Sequence, residues 1–235
     1  MTQRTISIAL RLLSAAVVLA GGFDCARAEE PLANEVRAGL YFVHDAVKAN
    51  DLSGPFTPAG INIRVGNVTT PYFAYLRHLD DNWSVELAGG IPPTVKTYGK
   101  GPATVGSVPF NGQEVATAKW FSPSVLLDYR FGNASNALRP YVGIGVNYTR
   151  FYKLDSTPAG DAANGGPTRV RLSNSFGPAG TVGASYKITR EINVIAAFSL
   201  ARVNSSYRSD TAGVIRTTEI HFNPRAFIVA AGYSF

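Results

Sequence analysis

Apolar and polar residues alternate with period two along most of the chain, which predicts eight strand-like segments at about 35–44, 61–78, 82–97, 114–131, 138–153, 170–188, 191–206 and 218–235. In the last, Phe227, Val229, Ala231, Tyr233 and Phe235 share one parity, all apolar or aromatic. Ala226, Ala230, Gly232 and Ser234 share the other and are small, with Ile228 the bulky exception. Segment 138–153 sets Val142, Ile144, Val146 and Tyr148 against Gly143, Gly145, Asn147 and Thr149. Segment 191–206 sets Ile192, Val194, Phe198 and Leu200 against Asn193, Ile195, Ala197 and Ser199, and segments 82–97 and 114–131 divide in the same way. No charge falls on the apolar parity of the cores Trp83–Ile91, Phe121–Phe131, Val142–Tyr148 and Ile192–Leu200. A Lys or Arg facing hydrocarbon at mid-depth costs about 2–4 kcal/mol, so the avoidance fits strands whose outer face meets lipid. A period of two excludes a helical bundle.

The connections sharpen this picture. Those near 79–82, 132–137 and 189–190 are short, while 45–60, 98–113, 154–169 and 207–217 are long and carry Gly, Pro, Asp and Ser. Strict alternation of short and long is expected of a transmembrane barrel with tight periplasmic turns and longer outside loops. Aromatics on the apolar parity gather near the short turns: Tyr75, Trp83, Tyr129, Phe131, Tyr186, Tyr233 and Phe235. That is the placement of an interfacial girdle. The expected fold is all-β, an eight-stranded antiparallel transmembrane β-barrel.

Residues 1–28 read as a cleaved signal peptide. Arg4 and Arg11 open it, Leu12 to Ala20 form a short apolar core, and Ala26-Arg27-Ala28 supplies the small-x-small cleavage pattern. The apolar run falls short of the roughly 20 residues that a spanning helix needs. Cleavage leaves residues 29–235 as one barrel domain and removes Cys25, the chain's one cysteine, so neither a disulfide nor a thiolate catalyst is expected. Removing Arg4, Arg11, Arg27 and Asp24 takes 22 basic and 16 acidic residues to 19 and 15, so the net charge falls from +6 to +4. The basic residues are scattered, which argues against a nucleic-acid partner.

Arg139-Pro140-Tyr141-Val142-Gly143-Ile144-Gly145-Val146-Asn147-Tyr148-Thr149 closely resembles the fifth-strand signature of the outer-membrane protein W family, which includes alkane-uptake barrels of the AlkL type. Asn174 to Ala184 is similar to its sixth strand, and Val85-Glu86-Leu87 with Pro92-Pro93 also fits. The resemblance implies a Gram-negative outer-membrane location and an apolar internal passage for small hydrophobic molecules. Outer-membrane lipid would surround the barrel, and the barrel-assembly machinery would read the C-terminal strand ending at Phe235.

Eight strands enclose a lumen that side chains can fill or that holds one small ligand. Inward parity places Arg37, Glu86, Asp128, Arg130 and Lys187 near the short turns, where an ion-pair cluster would close a periplasmic floor. Farther up, Leu76, Trp120, Leu126, Ile195, Val203 and Ile228 would line an apolar passage or pack one another as a plug. A closed floor requires a sideways exit. Pro71, Pro92, Pro93 and Pro123 lie on neighbouring strands and lack the N–H that holds a ladder, so they would either part the wall or form β-bulges. No catalysis is expected, since His44, His78 and His221 have no serine and acid arranged around them, and no metal or cofactor is expected either. The competing function is a structural or adhesive barrel with a packed lumen and no transport role.

Overall fold

The computed structural model describes residues 33–105 and 107–235, so the leader expected over 1–28 lies outside the described residues. In chain order the strands are β1 (Asn34–Ala49), β2 (Asn62–Val65), β3 (Val68–His78), β4 (Trp83–Gly90) and β5 (Thr94–Lys100). A small hairpin, β6 (Thr104–Val105) with β7 (Val108–Pro109), precedes β8 (Glu114–Phe121), β9 (Ser124–Arg130) and β10 (Leu138–Ser156). One short helix, α1 (Pro158–Asn164), is followed by β11 (Thr168–Leu172), β12 (Ser175–Lys187), β13 (Ile192–Ala201), β14 (Val203–Thr211) and β15 (Val214–Ser234). No helix among the described residues is long and apolar enough to cross a membrane.

Eight antiparallel strands close a ring in the order β1, β3, β4, β9, β10, β12, β13, β15, with Glu35 of β1 returning to Ser234 of β15. Closure removes every sheet edge, which is the condition for strands to stand in lipid. The inward and outward faces follow the expected parity. On β10, Tyr141, Gly143, Asn147 and Thr149 are buried, while Val142, Ile144, Val146 and Tyr148 are exposed, Ile144 by 73%. The girdle is a contact network: Trp83 meets Tyr129 at 4.9 Å, Tyr129 meets Phe131 at 5.1 Å, and Tyr233 stacks with Phe235 at 6.3 Å.

The sequence reading differs from the structure above the ring. Much of what reads as long loop is strand. β10 runs on to Ser156 and pairs with β8, which pairs with β5 and then β2, and on the other side β14 joins β15 to β11. The result is a second storey of sheet on the outer end of the barrel. The two storeys separate at one level, where the strands break at residues 66–67, 91–93, 122–123, 173–174 and at 202. Prolines account for two of these breaks, because Pro92, Pro93 and Pro123 cannot donate to a ladder.

Candidate functional site

The floor forms where inward polar residues converge at the short-turn end. Arg37 Nε donates to Glu35 Oε1 at 2.5 Å and its Nη1 to Glu86 Oε2 at 3.1 Å. Tyr72 Oη donates to Glu86 Oε1 at 2.9 Å, Tyr41 stacks on Tyr72 at 5.7 Å, and the Arg37 guanidinium lies 5.5 Å from the centre of the Tyr141 ring. His78 Nε2 sits 3.3 Å from Glu35 Oε2, and Arg130 hydrogen-bonds the same imidazole. A buried guanidinium is tolerable here because two carboxylates and the face of the Tyr141 ring surround it.

Four of the five expected floor residues are therefore gathered, although Asp128 lies buried across the ladder from Ser84 without an ion pair. Lys187 does not join them. It is exposed and donates to the Ala134 carbonyl at 2.8 Å, because it is the last residue of β12 and its long stem reaches the turn and water. Sequence reasoning missed Glu35, Tyr72, His78 and Tyr141. Glu35 shares parity with Arg37 two residues on, which was a usable signal, whereas the two tyrosines arrive through register across the ring.

Above the floor the lumen is packed. Leu76, Ile195 and Ile228 join Tyr72, Tyr141 and neighbouring alanines in one buried cluster. Leu126 and Ile228 then line a small cavity of about 40 Å³. Above that opens a larger cavity of about 350 Å³, walled by Ile61, Val95, Phe151, Val203, Ile220 and Phe222, with Phe151 and Phe222 in contact at 5.4 Å. Trp120, Ser122 and Pro224 line both cavities, so the two adjoin. Of the expected lining, Leu76 and Ile195 act as packing, while Trp120, Leu126, Val203 and Ile228 face open space.

The prolines divide as well. The β4–β9 ladder ends at Ala88–Ser124 and the β5–β8 ladder starts at Thr94–Lys119, so residues 89–93 stand beside 120–123 without ladder pairing. Pro92, Pro93 and Pro123 border this gap, and a Cβ built on Gly89 would meet only Pro123, at 3.9 Å. Gly89, Gly90, Ile91, Pro93, Ser122 and Ser124 also line the small cavity, which therefore abuts the gap. Pro71 lies one strand away, on the lipid face, and its carbonyl accepts from the Ile91 N–H at 3.1 Å. On the far side of the gap the break is stitched by side chains. Asn147 Nδ2 donates to the Ser122 and Pro123 carbonyls at 3.3 and 3.1 Å and to Ser124 Oγ at 3.0 Å. The wall is thus secured towards β10 and thin towards β4.

The model of the OmpW family matches residues 34–235. The chain belongs to the OmpW family. Outer membrane protein W of Vibrio cholerae is 28% identical over 200 residues, covering 85% of this chain and 87% of that protein. Outer membrane protein W of Salmonella typhimurium is 30% identical over 171 residues, covering 73% and 75%. A shorter match, 35% identical over 104 residues (43% of this chain and 44% of the relative), is the dibenzothiophene metabolism operon protein PahQ of Pseudomonas aeruginosa. Among solved structures, OprG of Pseudomonas aeruginosa superposes with a TM-score of 0.76 at 22% identity over 86% of this chain and 95% of that one. AlkL in lipid bilayers superposes at 0.64 with 20% identity over 92% and 96%. This OmpW-family protein is an outer-membrane β-barrel of a Gram-negative cell, with lipid around its apolar face.

Proposed function

We propose that this barrel passively admits small hydrophobic molecules and releases them sideways into the outer membrane, without catalysis or a cofactor. The observation that carries the reading is the path itself: an apolar cavity in the outer storey adjoins a smaller one, which ends against the unpaired gap between Gly89–Pro93 and Trp120–Pro123, over a floor filled by ion pairs. Apolar lining holds a solute by burial at about 25 cal/mol per Å². The match to a protein of a dibenzothiophene metabolism operon supports an aromatic or aliphatic hydrophobic cargo. The packed lower lumen around Leu76 and Ile195 would also suit a scaffold, but a scaffold has no use for the open upper cavity. Insertion by the barrel-assembly machinery through the strand ending at Phe235 belongs to the same reading.

Cysteines at Gly89 and Pro123 are close enough to bridge the gap, given the 3.9 Å approach of a Cβ on Gly89 to Pro123. Oxidised cells should take up naphthalene or dodecane poorly, and reductant should restore uptake. Equal uptake in both redox states would remove the lateral exit.

A further inference from the structure

We propose that the outer end of the larger cavity is a carboxylate-binding subsite centred on Arg216, so that the barrel's preferred cargo is a hydrophobic acid rather than a bare hydrocarbon. The proposal rests on the passage reading above and names its substrate class. Arg216 faces inward on β15, is 8% exposed and lines the larger cavity. Its Nη1 donates to Asn164 Oδ1 at 3.3 Å, a neutral amide held by α1. Among the described residues no carboxylate lies within ion-pair distance of it.

The contrast with the floor decides how this matters. There the buried Arg37 has both Glu35 and Glu86 as counter-charges. A buried guanidinium with none is costly, so Arg216 is poised for an anion that arrives from outside. Two further features sit around it. Ser209, directly across the ladder from Arg216, is fully buried beside Tyr207, which lines the same cavity. Gly54 brings its loop onto the arginine stem, since a Cβ there would meet Arg216 Cγ at 3.0 Å. The side chain is therefore held in place rather than free to swing into water.

The rest of the cavity suits a tail. Thr218, Ile220, Phe222 and Pro224 follow Arg216 along the inward face of β15 and line the same space. Eight residues of strand span roughly 26 Å at about 3.3 Å each. One planar, charged fork at the outer end of a long apolar wall matches a molecule with a carboxylate head and an aliphatic or aromatic body. A neutral hydrocarbon would fill the wall and leave the fork unpaired.

The test uses the full barrel in lipid nanodiscs with Trp83→Phe, which leaves Trp120, on the cavity wall, as the one tryptophan. Dodecanoate and dodecanol are titrated against Trp120 emission, in this background and with Arg216→Met added. The expected result is at least about tenfold tighter binding of the acid, in line with a charge-assisted hydrogen bond. Arg216→Met should abolish that preference by weakening dodecanoate binding about tenfold, to the level of dodecanol. Equal affinities in the Arg216 protein, or a preference that survives Arg216→Met, overturns the subsite while the passage stands. Silence of Trp120 towards both ligands overturns the passage reading and the subsite with it. Because the acid–alcohol comparison in the Arg216 protein is decisive alone, it holds even should the methionine variant fail to fold.

Discussion

Arg37 and Asn147 solve two different problems with single side chains. Asn147 is 3% exposed and offers its amide to the Ser122 carbonyl at the strand break and, beside the Tyr148 N–H, to the Pro123 carbonyl, which is how irregular backbone survives at membrane depth. Arg37 is the cation that makes Glu35 and Glu86 tolerable inside the barrel. Arg37→Met strands both carboxylates and should lower stability by about 3–5 kcal/mol in urea unfolding from lipid vesicles. Adding Glu35→Gln and Glu86→Gln should recover much of the loss, because apolar and neutral replacements of a whole buried ion cluster are often close to neutral. A full-sized loss that the two glutamines do not relieve would mean that Arg37 acts by packing on Tyr141 rather than by charge.

Elements differ in how plainly they are written in the chain. Strands that touch lipid on one side and the lumen on the other alternate strongly, so β10, β13 and β15 are legible from Val142–Tyr148, Ile192–Leu200 and Phe227–Phe235 alone. β14 is legible only as far as Ser206, inside the segment read over 191–206, because Asn204, Ser206 and Arg208 face water outside while Ser205 and Ser209 face the lumen, and a strand that is polar on both faces reads as loop. Arg216 was missed because it lies at the start of β15, in the stretch 207–217 that reads as loop. Arg37, Glu86, Asp128 and Arg130 were legible as inward charges because parity and nearness to a short turn are both sequence properties, but Lys187 has the same two properties and stays outside the cluster. Their partners across the ring were not, because register is set by the closed sheet. The β14–β15 connection shows the physics that local pattern understates: a two-residue turn with Ala212 at φ 49° and Gly213 at φ 88°, its Gly213 N–H bonded to Asp210 Oδ1 at 3.0 Å. Both positive angles mark a type I′ hairpin, which favours Asn-Gly. Ala212→Asn should therefore raise stability by about 0.5–1 kcal/mol, read from the urea midpoint at unchanged slope.

On the scale of the whole molecule, the outward face locates the membrane. Along β10 the exposed apolar residues run from Leu138 to Tyr148 and end at the exposed Arg150, whose ladder partner is Phe121. Ten residues of strand rise roughly 33 Å, or about 25 Å along the axis at a tilt near 40°, which equals the apolar band of an outer-membrane barrel. On β15 the same border falls between Phe227 and the exposed Arg225. The level at which the storeys separate therefore lies at the outer rim of the bilayer, with the thin wall at Gly89–Pro93 just within reach of lipid. The larger cavity then stands mostly outside the membrane and the smaller one inside. This placement makes a sharp contrast between two outward-facing isoleucines. Ile144, mid-band and 73% exposed, should cost about 2–4 kcal/mol when changed to Arg. Ile215, also exposed but in the upper storey, should change by no more than about 0.5 kcal/mol for the same substitution. Equal penalties, measured side by side by folding into vesicles, would mean that the band has been drawn at the wrong height and that the lateral gap does not open onto lipid.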